Sequence, residues 1–108
     1  MELSVDKRTK VAVITIIGSV DSADSSPLLD FFNELIDAGH TGLVIDMAGM
    51  DFIVSMGLGV FVRTYTRLRQ AGGFLRLARP QPMILQIIET TGLDRLLPIY
   101  DSLDQALE

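Results

Sequence analysis

The sequence predicts a single α/β domain in which helices alternate with the strands of a parallel or mixed sheet. Three observations lead to this prediction: short apolar or β-branched runs of strand length, amphipathic segments of helix length between them, and Gly or Pro at the junctions. The chain has 108 residues, of which 48% are hydrophobic and 21% are charged, enough to build one core. We therefore assign residues 1–108 to one domain.

The first half of the chain predicts a β-hairpin, a helix and a buried strand. Alternating apolar residues and then a β-branched run indicate the hairpin, whose second strand ends at Gly18. The Ser25–Pro27 cluster supplies an N-cap and a first-turn proline for the helix, which stops at Gly39. The predicted strands cover Leu3–Val5, Val11–Ile17 and Leu43–Met47.

The second half predicts two longer helices separated by a strand. Apolar residues recur at helical spacing after Ser55, and this helix ends with cationic Arg67 and Arg69 before Gly72. The elements that follow are a strand at Phe74–Ala78, a helix from Pro80–Pro82 to just before Gly92, an edge strand at Leu96–Tyr100, and a short helix capped by Ser102 that runs through Leu107.

Composition and charge exclude several classes of function. The chain has no cysteine and one histidine, which excludes thiolate and multi-histidine metal sites, and we expect His40 to be a solvated loop residue. A formal net charge of −5 disfavours nucleic acid as a partner. No run approaches the ~18 uncharged residues of a spanning helix, and the N-terminal residues form no apolar signal segment. We expect a cytoplasmic protein without membrane insertion, metal or cofactor.

Ser55 stands where a buried strand passes through a short loop into a helix. A serine in this place either caps the helix, by accepting a hydrogen bond from a backbone amide, or carries a phosphate that the helix dipole tolerates. The residues alone leave both roles open, and one serine can fill both.

Four segments, in order along the chain, carry a resemblance to a known family. Residues 46–60, with the sequence DMAGMDFIVSMGLGV, resemble the signature F-[IM]-D-S-[SAT]-G-L-G of the STAS domains of anti-sigma factor antagonists. Val54 replaces the aspartate of that signature, and Met56 replaces a small or hydroxylated residue. The segments that resemble the family's turns are Gly18–Asp21, Gly72-Gly73 and Thr91–Leu93.

That resemblance implies a mixed sheet of four or five strands with helices packed mainly on one face. It also implies a regulatory protein of bacterial partner switching and not an enzyme. In such systems the unphosphorylated antagonist binds an anti-sigma factor that is itself a serine kinase, and phosphorylation of the signature serine breaks the complex. Ser55 is then the expected phosphoacceptor, a phosphatase is a further candidate partner, and the oligomeric state stays open.

The expected binding surface surrounds Ser55. We expect its methionines and phenylalanine to form a small exposed apolar patch, because flexible methionine side chains suit a docking surface. Asp46 and Asp51 are the acidic residues expected near the phosphoacceptor. Asp21 either contacts the partner, caps the first helix or is a solvated surface residue. The residues expected to contact the partner are Asp21, Met50, Phe52, Val54, Ser55, Met56 and Gly57.

Other interpretations compete with the phosphorylation switch. The departures at Val54 and Met56 favour a constitutive scaffold, or an accessory subunit of a stress-signalling or lipid-transport complex. A small enzyme would need Asp21, Asp46 and Asp51 to converge in one pocket. The glycines at 57 and 59 lack the lysine of a P-loop and the third glycine of a dinucleotide fingerprint, so we interpret them as sites of close packing between helix and sheet.

Overall fold

Strands and helices alternate along the computed structural model, which describes residues 1–108. The strands are β1 (Glu2–Lys7), β2 (Val11–Val20), β3 (Gly42–Asp46), β4 (Met50–Ile53), β5 (Phe74–Ala78) and β6 (Ile99–Tyr100). The helices are α1 (Ser22–Asp37), α2 (Ser55–Gln70), α3 (Pro82–Thr90) and α4 (Leu103–Leu107). A 3-10 turn at Leu93–Arg95 precedes β6.

The sheet is built around β2. β1 pairs with one edge of β2 in antiparallel direction, whereas β3 and β4 pair with the other edge in parallel. β3 covers the first half of that edge and β4 covers its end, at residues 18–20. β5 and β6 extend the sheet in parallel beyond β3. The predicted α/β fold with a mixed sheet is confirmed, and the sheet has six strands where four or five were expected.

Side-chain alternation along β2 separates two cores. Ala12, Ile14 and Ile16 face the larger core, which α1, α2 and α3 cover. Val13 and Val44 face the smaller core, which α4 covers from the other side of the sheet. Most helical mass therefore lies on one face, as the resemblance implied. No helix combines the length and apolar character needed to cross a membrane.

The second strand does not end at Gly18. β2 continues to Val20, and its register against β4 shifts between Gly18 and Ser19. Gly18 has a φ of +89°, a left-handed conformation that glycine adopts without steric cost. The glycine marks an irregularity within the strand, beyond which β4 lies alongside the end of β2.

The first helix begins at Ser22, before the Ser25–Pro27 cluster that was expected to open it. Asp21 is the N-cap residue: its Oδ1 accepts a hydrogen bond from the Asp24 backbone N–H at 3.1 Å. Asp24 Oδ2 accepts one from the Asp21 backbone N–H at 2.9 Å. This reciprocal capping box satisfies two backbone donors, so Pro27 falls inside the helix instead of at its start.

The predictions for two connections between elements have opposite outcomes. His40 is 8% exposed, so the expectation of a solvated histidine is wrong. Its backbone N–H donates to the Leu35 carbonyl at 3.1 Å and folds the chain back at the end of α1. Ser102 caps α4 as predicted, because its Oγ accepts a hydrogen bond from the Gln105 backbone N–H at 3.1 Å.

Candidate functional site

A short turn without a polar cap connects β4 to α2. Val54 occupies the N-cap position with extended backbone angles, φ −84° and ψ 165°, and contributes no side-chain hydrogen bond. Its N–H donates to the Val20 carbonyl at 3.1 Å, and its carbonyl accepts from the Gly57 N–H at 2.9 Å. Backbone hydrogen bonds therefore fix the start of α2 against the end of β2.

Ser55 is the first residue of α2, and it is exposed. The interpretation of Ser55 as the helix cap is wrong, because Val54 occupies that position. The first amides of a helix have no acceptor within the helix, and no acidic side chain lies in this first turn. The Ser55 hydroxyl is thus accessible from solvent beside the partial positive charge of the helix start.

Gly57 lets the start of α2 lie close to the sheet. A Cβ atom on Gly57 would lie 2.7 Å from Ile53 Cγ1 and 3.0 Å from Val20 Cγ1. Gly57 is buried, so the expectation that it contacts a partner is wrong. It contributes to the site by letting α2 lie close to the sheet. The close packing expected of both glycines holds for Gly57 alone, since a Cβ atom on Gly59 would meet no atom within 4 Å.

The expected apolar patch is divided between two faces of the molecule. Met50 is fully buried in the larger core, so the expectation that its side chain contacts a partner is wrong. Phe52 is 45% exposed and pairs in register with Ser19, which places it on the sheet face away from α1, α2 and α3. Met56 is 59% exposed and lies on α2, on the helical side of the sheet.

Asp46 is a buried partner in an ion pair and not a free acid beside Ser55. Its Oδ2 lies 2.6 Å from Arg79 Nη2, and its Oδ1 accepts from Arg79 Nε at 3.1 Å. The hydrogen bond and the charge of Asp46 raise the pKa of Arg79. Oδ1 also accepts from the Ala48 N–H at 3.3 Å, and Gln81 Nε2 donates to the Ala48 carbonyl at 2.8 Å. The loop from β3 to β4 is therefore tied to the segment that follows β5.

Sequence reasoning missed Arg79 and Gln81. The available signal was positional: Asp46 ends β3, and the register pairs it with Ala78 at the end of β5. Residues that follow two neighbouring parallel strands meet at the same edge of the sheet, which puts Arg79 within reach of Asp46. The strand order needed for that inference is not readable from either segment alone.

The three candidate carboxylates do not act together. Asp21 caps α1, Asp46 pairs with Arg79, and Asp51 is exposed on β4. No group of three or more His, Cys, Asp or Glu side chains is arranged to hold a metal ion. The convergence that an enzyme built on these carboxylates would need is absent from the structure.

A groove separates α1 from α2 near the start of both helices. Its volume is about 330 Å³. Met56, next to the exposed Ser55, lies at the end of the groove where α2 begins. Arg63 lies at the other end. The residues that line it include Ser25 and Leu29 on α1, and Met56, Gly59, Val60 and Arg63 on α2.

Comparison with known families identifies the domain. The family model described as STAS domain matches residues 2–106. The chain belongs to the STAS domain family. A similar relative is the anti-sigma-F factor antagonist RsfB of Mycobacterium tuberculosis, 30% identical over 97 residues that cover 90% of this chain and 79% of RsfB.

Solved structures of the STAS family have the same fold. An anti-sigma factor antagonist from Mycobacterium paratuberculosis matches with a TM-score of 0.87 and 28% identity, covering 98% of this chain and 90% of that one. The phosphorylated form of the Bacillus cell fate determinant SpoIIAA matches with a TM-score of 0.77 and 17% identity, covering 98% and 96%. At that identity SpoIIAA shows the fold alone. The named relatives are regulatory antagonists, which agrees with the expectation that this STAS domain is not an enzyme.

Proposed function

We propose that this STAS domain is an anti-sigma factor antagonist that binds an anti-sigma factor with serine kinase activity and is released when Ser55 is phosphorylated. The observation that carries the proposal is the exposed Ser55 at the first position of α2, within the family signature. Relatives named as antagonists support the choice of partner, and the resemblance of residues 46–60 to the family signature supports the kind of switch.

The start of α2 suits a phosphate that leaves the fold intact. Phosphorylation adds about −1.5 to −2 charges near neutral pH, and the helix dipole favours negative charge at this end. The first turn of α2 has no carboxylate that would repel the phosphate. The exposed hydroxyl gives a kinase access without unfolding of the helix.

The same phosphate would disrupt a complex that covers Ser55. Met56 is exposed and Val54 is half-buried, so the surface beside the hydroxyl is apolar. A partner that packs on this surface would have to desolvate a doubly charged group, which is unfavourable unless a cation compensates it. We include Asp21, Val54 and Met56 in the proposed contact surface and assign Met50 and Gly57 to its support. Phe52 is left out, because it lies on the other face of the sheet.

Mass spectrometry after incubation with a serine kinase of the anti-sigma factor type and ATP tests the phosphoacceptor. We expect phosphate on Ser55 and none on the Ser55→Ala variant. Ser22→Ala is the matched control, because Ser22 is also exposed at the first position of a helix, α1. Phosphate on another residue, or on none, would contradict the proposal.

A binding measurement tests the switch. We expect Ser55→Asp to lower the affinity for the anti-sigma factor by roughly 100-fold, the scale expected when a charge must be desolvated at an interface. Circular dichroism should show an unchanged fold. Unchanged binding would favour the second candidate, a constitutive scaffold or an accessory subunit, which the replacement of the signature residues by Val54 and Met56 supports.

A further inference from the structure

α1 and α2 are tied together at one end and open at the other. Towards their C-terminal ends, Arg67 of α2 donates to Asn33 Oδ1 at 2.9 Å and pairs with Asp37 of α1. In the middle, the rings of Phe32 and Phe61 pack with a centroid distance of 6.1 Å. Towards their N-terminal ends no such contact closes the space, and the groove of about 330 Å³ remains.

The chemistry of the groove is apolar with one free cation. Leu29, Met56 and Val60 supply its apolar surface. Arg63 stands one helical turn before Arg67, is exposed, and takes part in none of the three ion pairs of the molecule. A guanidinium without a carboxylate partner, beside apolar surface, matches a ligand that offers an apolar group and a carboxylate together.

The position of the groove connects it to the phosphoacceptor. Met56 lines the groove, and Ser55 precedes it at the exposed helix start. A protein segment seated between α1 and α2 would therefore lie next to the Ser55 hydroxyl. The volume of the groove is near the lower limit of about 300 Å³ for ligand pockets, which suits one or two protein side chains.

We propose that the groove receives a large apolar side chain of the anti-sigma factor, from a segment that also carries a carboxylate paired with Arg63. This proposal rests on the proposed function and names the chemistry of the partner surface. Arg63 attracts the carboxylate at the end of the groove away from Ser55. This ion pair therefore contributes to the affinity separately from the charge on Ser55, because the two sites lie about 12 Å apart along α2.

Two variants test the groove by affinity for the anti-sigma factor. Gly59→Leu fills the groove, and we expect it to weaken binding at least 10-fold without unfolding, because a Cβ atom at Gly59 meets nothing within 4 Å. Arg63→Glu should weaken binding by a similar factor and reduce the dependence of the affinity on NaCl concentration. Arg69→Glu is the matched control, since Arg69 is exposed on the same helix and does not line the groove.

The outcomes separate the groove from the switch. Weak binding by Gly59→Leu and Arg63→Glu, with normal binding by Arg69→Glu, supports the groove whatever Ser55→Asp does. Normal binding by both groove variants, with Ser55→Asp impaired, overturns the groove and leaves the proposed function intact. If Gly59→Leu loses its circular dichroism spectrum, the Arg63→Glu and Arg69→Glu pair decides alone. A wild-type chain that binds no anti-sigma factor overturns the proposed function and this occupant with it.

Discussion

α1 and α2 begin side by side from two neighbouring strands, yet their first turns are stabilised in different ways. Val20 of β2 and Ile53 of β4 are paired in register, and each is followed by one extended cap residue and then an exposed serine. The cap residue is Asp21 in α1 and Val54 in α2. One difference in side-chain chemistry therefore separates two helix starts of nearly the same geometry.

The start of α2 would tolerate a charge on its first serine better than the start of α1 would. At the start of α1, the carboxylates of Asp21 and Asp24 already satisfy two amides and place negative charge around Ser22. At the start of α2, no side chain caps the helix and no carboxylate lies in the first turn. The start of α2 is held by packing at Gly57 and by backbone hydrogen bonds. No carboxylate of the first turn would therefore repel an anion added at Ser55.

Packing at Gly57 should be the strongest support of the α2 start. We expect Gly57→Ala to lower the free energy of unfolding by about 1–3 kcal/mol, because the new Cβ atom would overpack Ile53 and Val20. Chemical denaturation monitored by circular dichroism measures the effect. Gly59→Ala on the same helix is the control and should raise stability by about 0.5–1 kcal/mol, through helix propensity alone. Equal effects at the two glycines would contradict this account of the α2 start.

The capping box should be the corresponding support of the α1 start. Asp21→Ala is expected to cost about 1 kcal/mol, within the range of about 0.5–2 kcal/mol for loss of an N-cap side chain. Asp30→Ala is the control, because Asp30 is exposed on the same helix and forms no ion pair. A loss no greater than that of the control would show that α1, like α2, does not depend on its cap.

The two starts also show what the sequence could predict. Apolar spacing predicted both helices, and the family signature placed Ser55 at the beginning of α2. The start of α1 was predicted at Ser25–Pro27, because Ser25 and Pro27 are as good a local start signal as Asp21 and Asp24, and capping by Asp21 was only one of its possible roles. The choice is made by where β2 ends, and β2 continues past Gly18 through a register shift that only pairing with β4 reveals.

Features of the candidate site that depend on residues close in sequence were predictable, whereas contacts between residues distant in sequence were less so. Ser55 and Met56 are exposed, as expected of the apolar patch around Ser55, whereas Met50, from the same expected patch, is fully buried. Four-residue β4 is too short for an alternation pattern to be read, so nothing local distinguishes Met50 from Phe52. The Asp46–Arg79 ion pair and the α1–α2 groove join residues that are distant in sequence, and strand order and helix packing determine them.

A side-chain cap like that of α1 can be introduced at the start of α2. Val54 already has the extended backbone of an N-cap residue, so Val54→Asp should raise the free energy of unfolding by about 0.5–1 kcal/mol. Val54→Asn separates the hydrogen bond from the charge, because it caps equally well but should lose the additional, salt-sensitive interaction with the helix dipole. Thermal unfolding at low and high salt measures both contributions. No gain from either variant would mean that the first amides of α2 are satisfied without a side-chain cap.

The smallest effect is expected at Ser55 itself. Because Ser55 lies after the cap position and is exposed, Ser55→Ala should change the free energy of unfolding by less than about 0.5 kcal/mol. Ser22→Ala at the matching position of α1 should behave alike, and differential scanning calorimetry of the two variants compares them directly. A loss of about 1 kcal/mol or more at Ser55 alone would restore a capping role for its hydroxyl. With the small effect expected, altered partner binding by Ser55 variants is a property of the interface, because the fold does not require the hydroxyl.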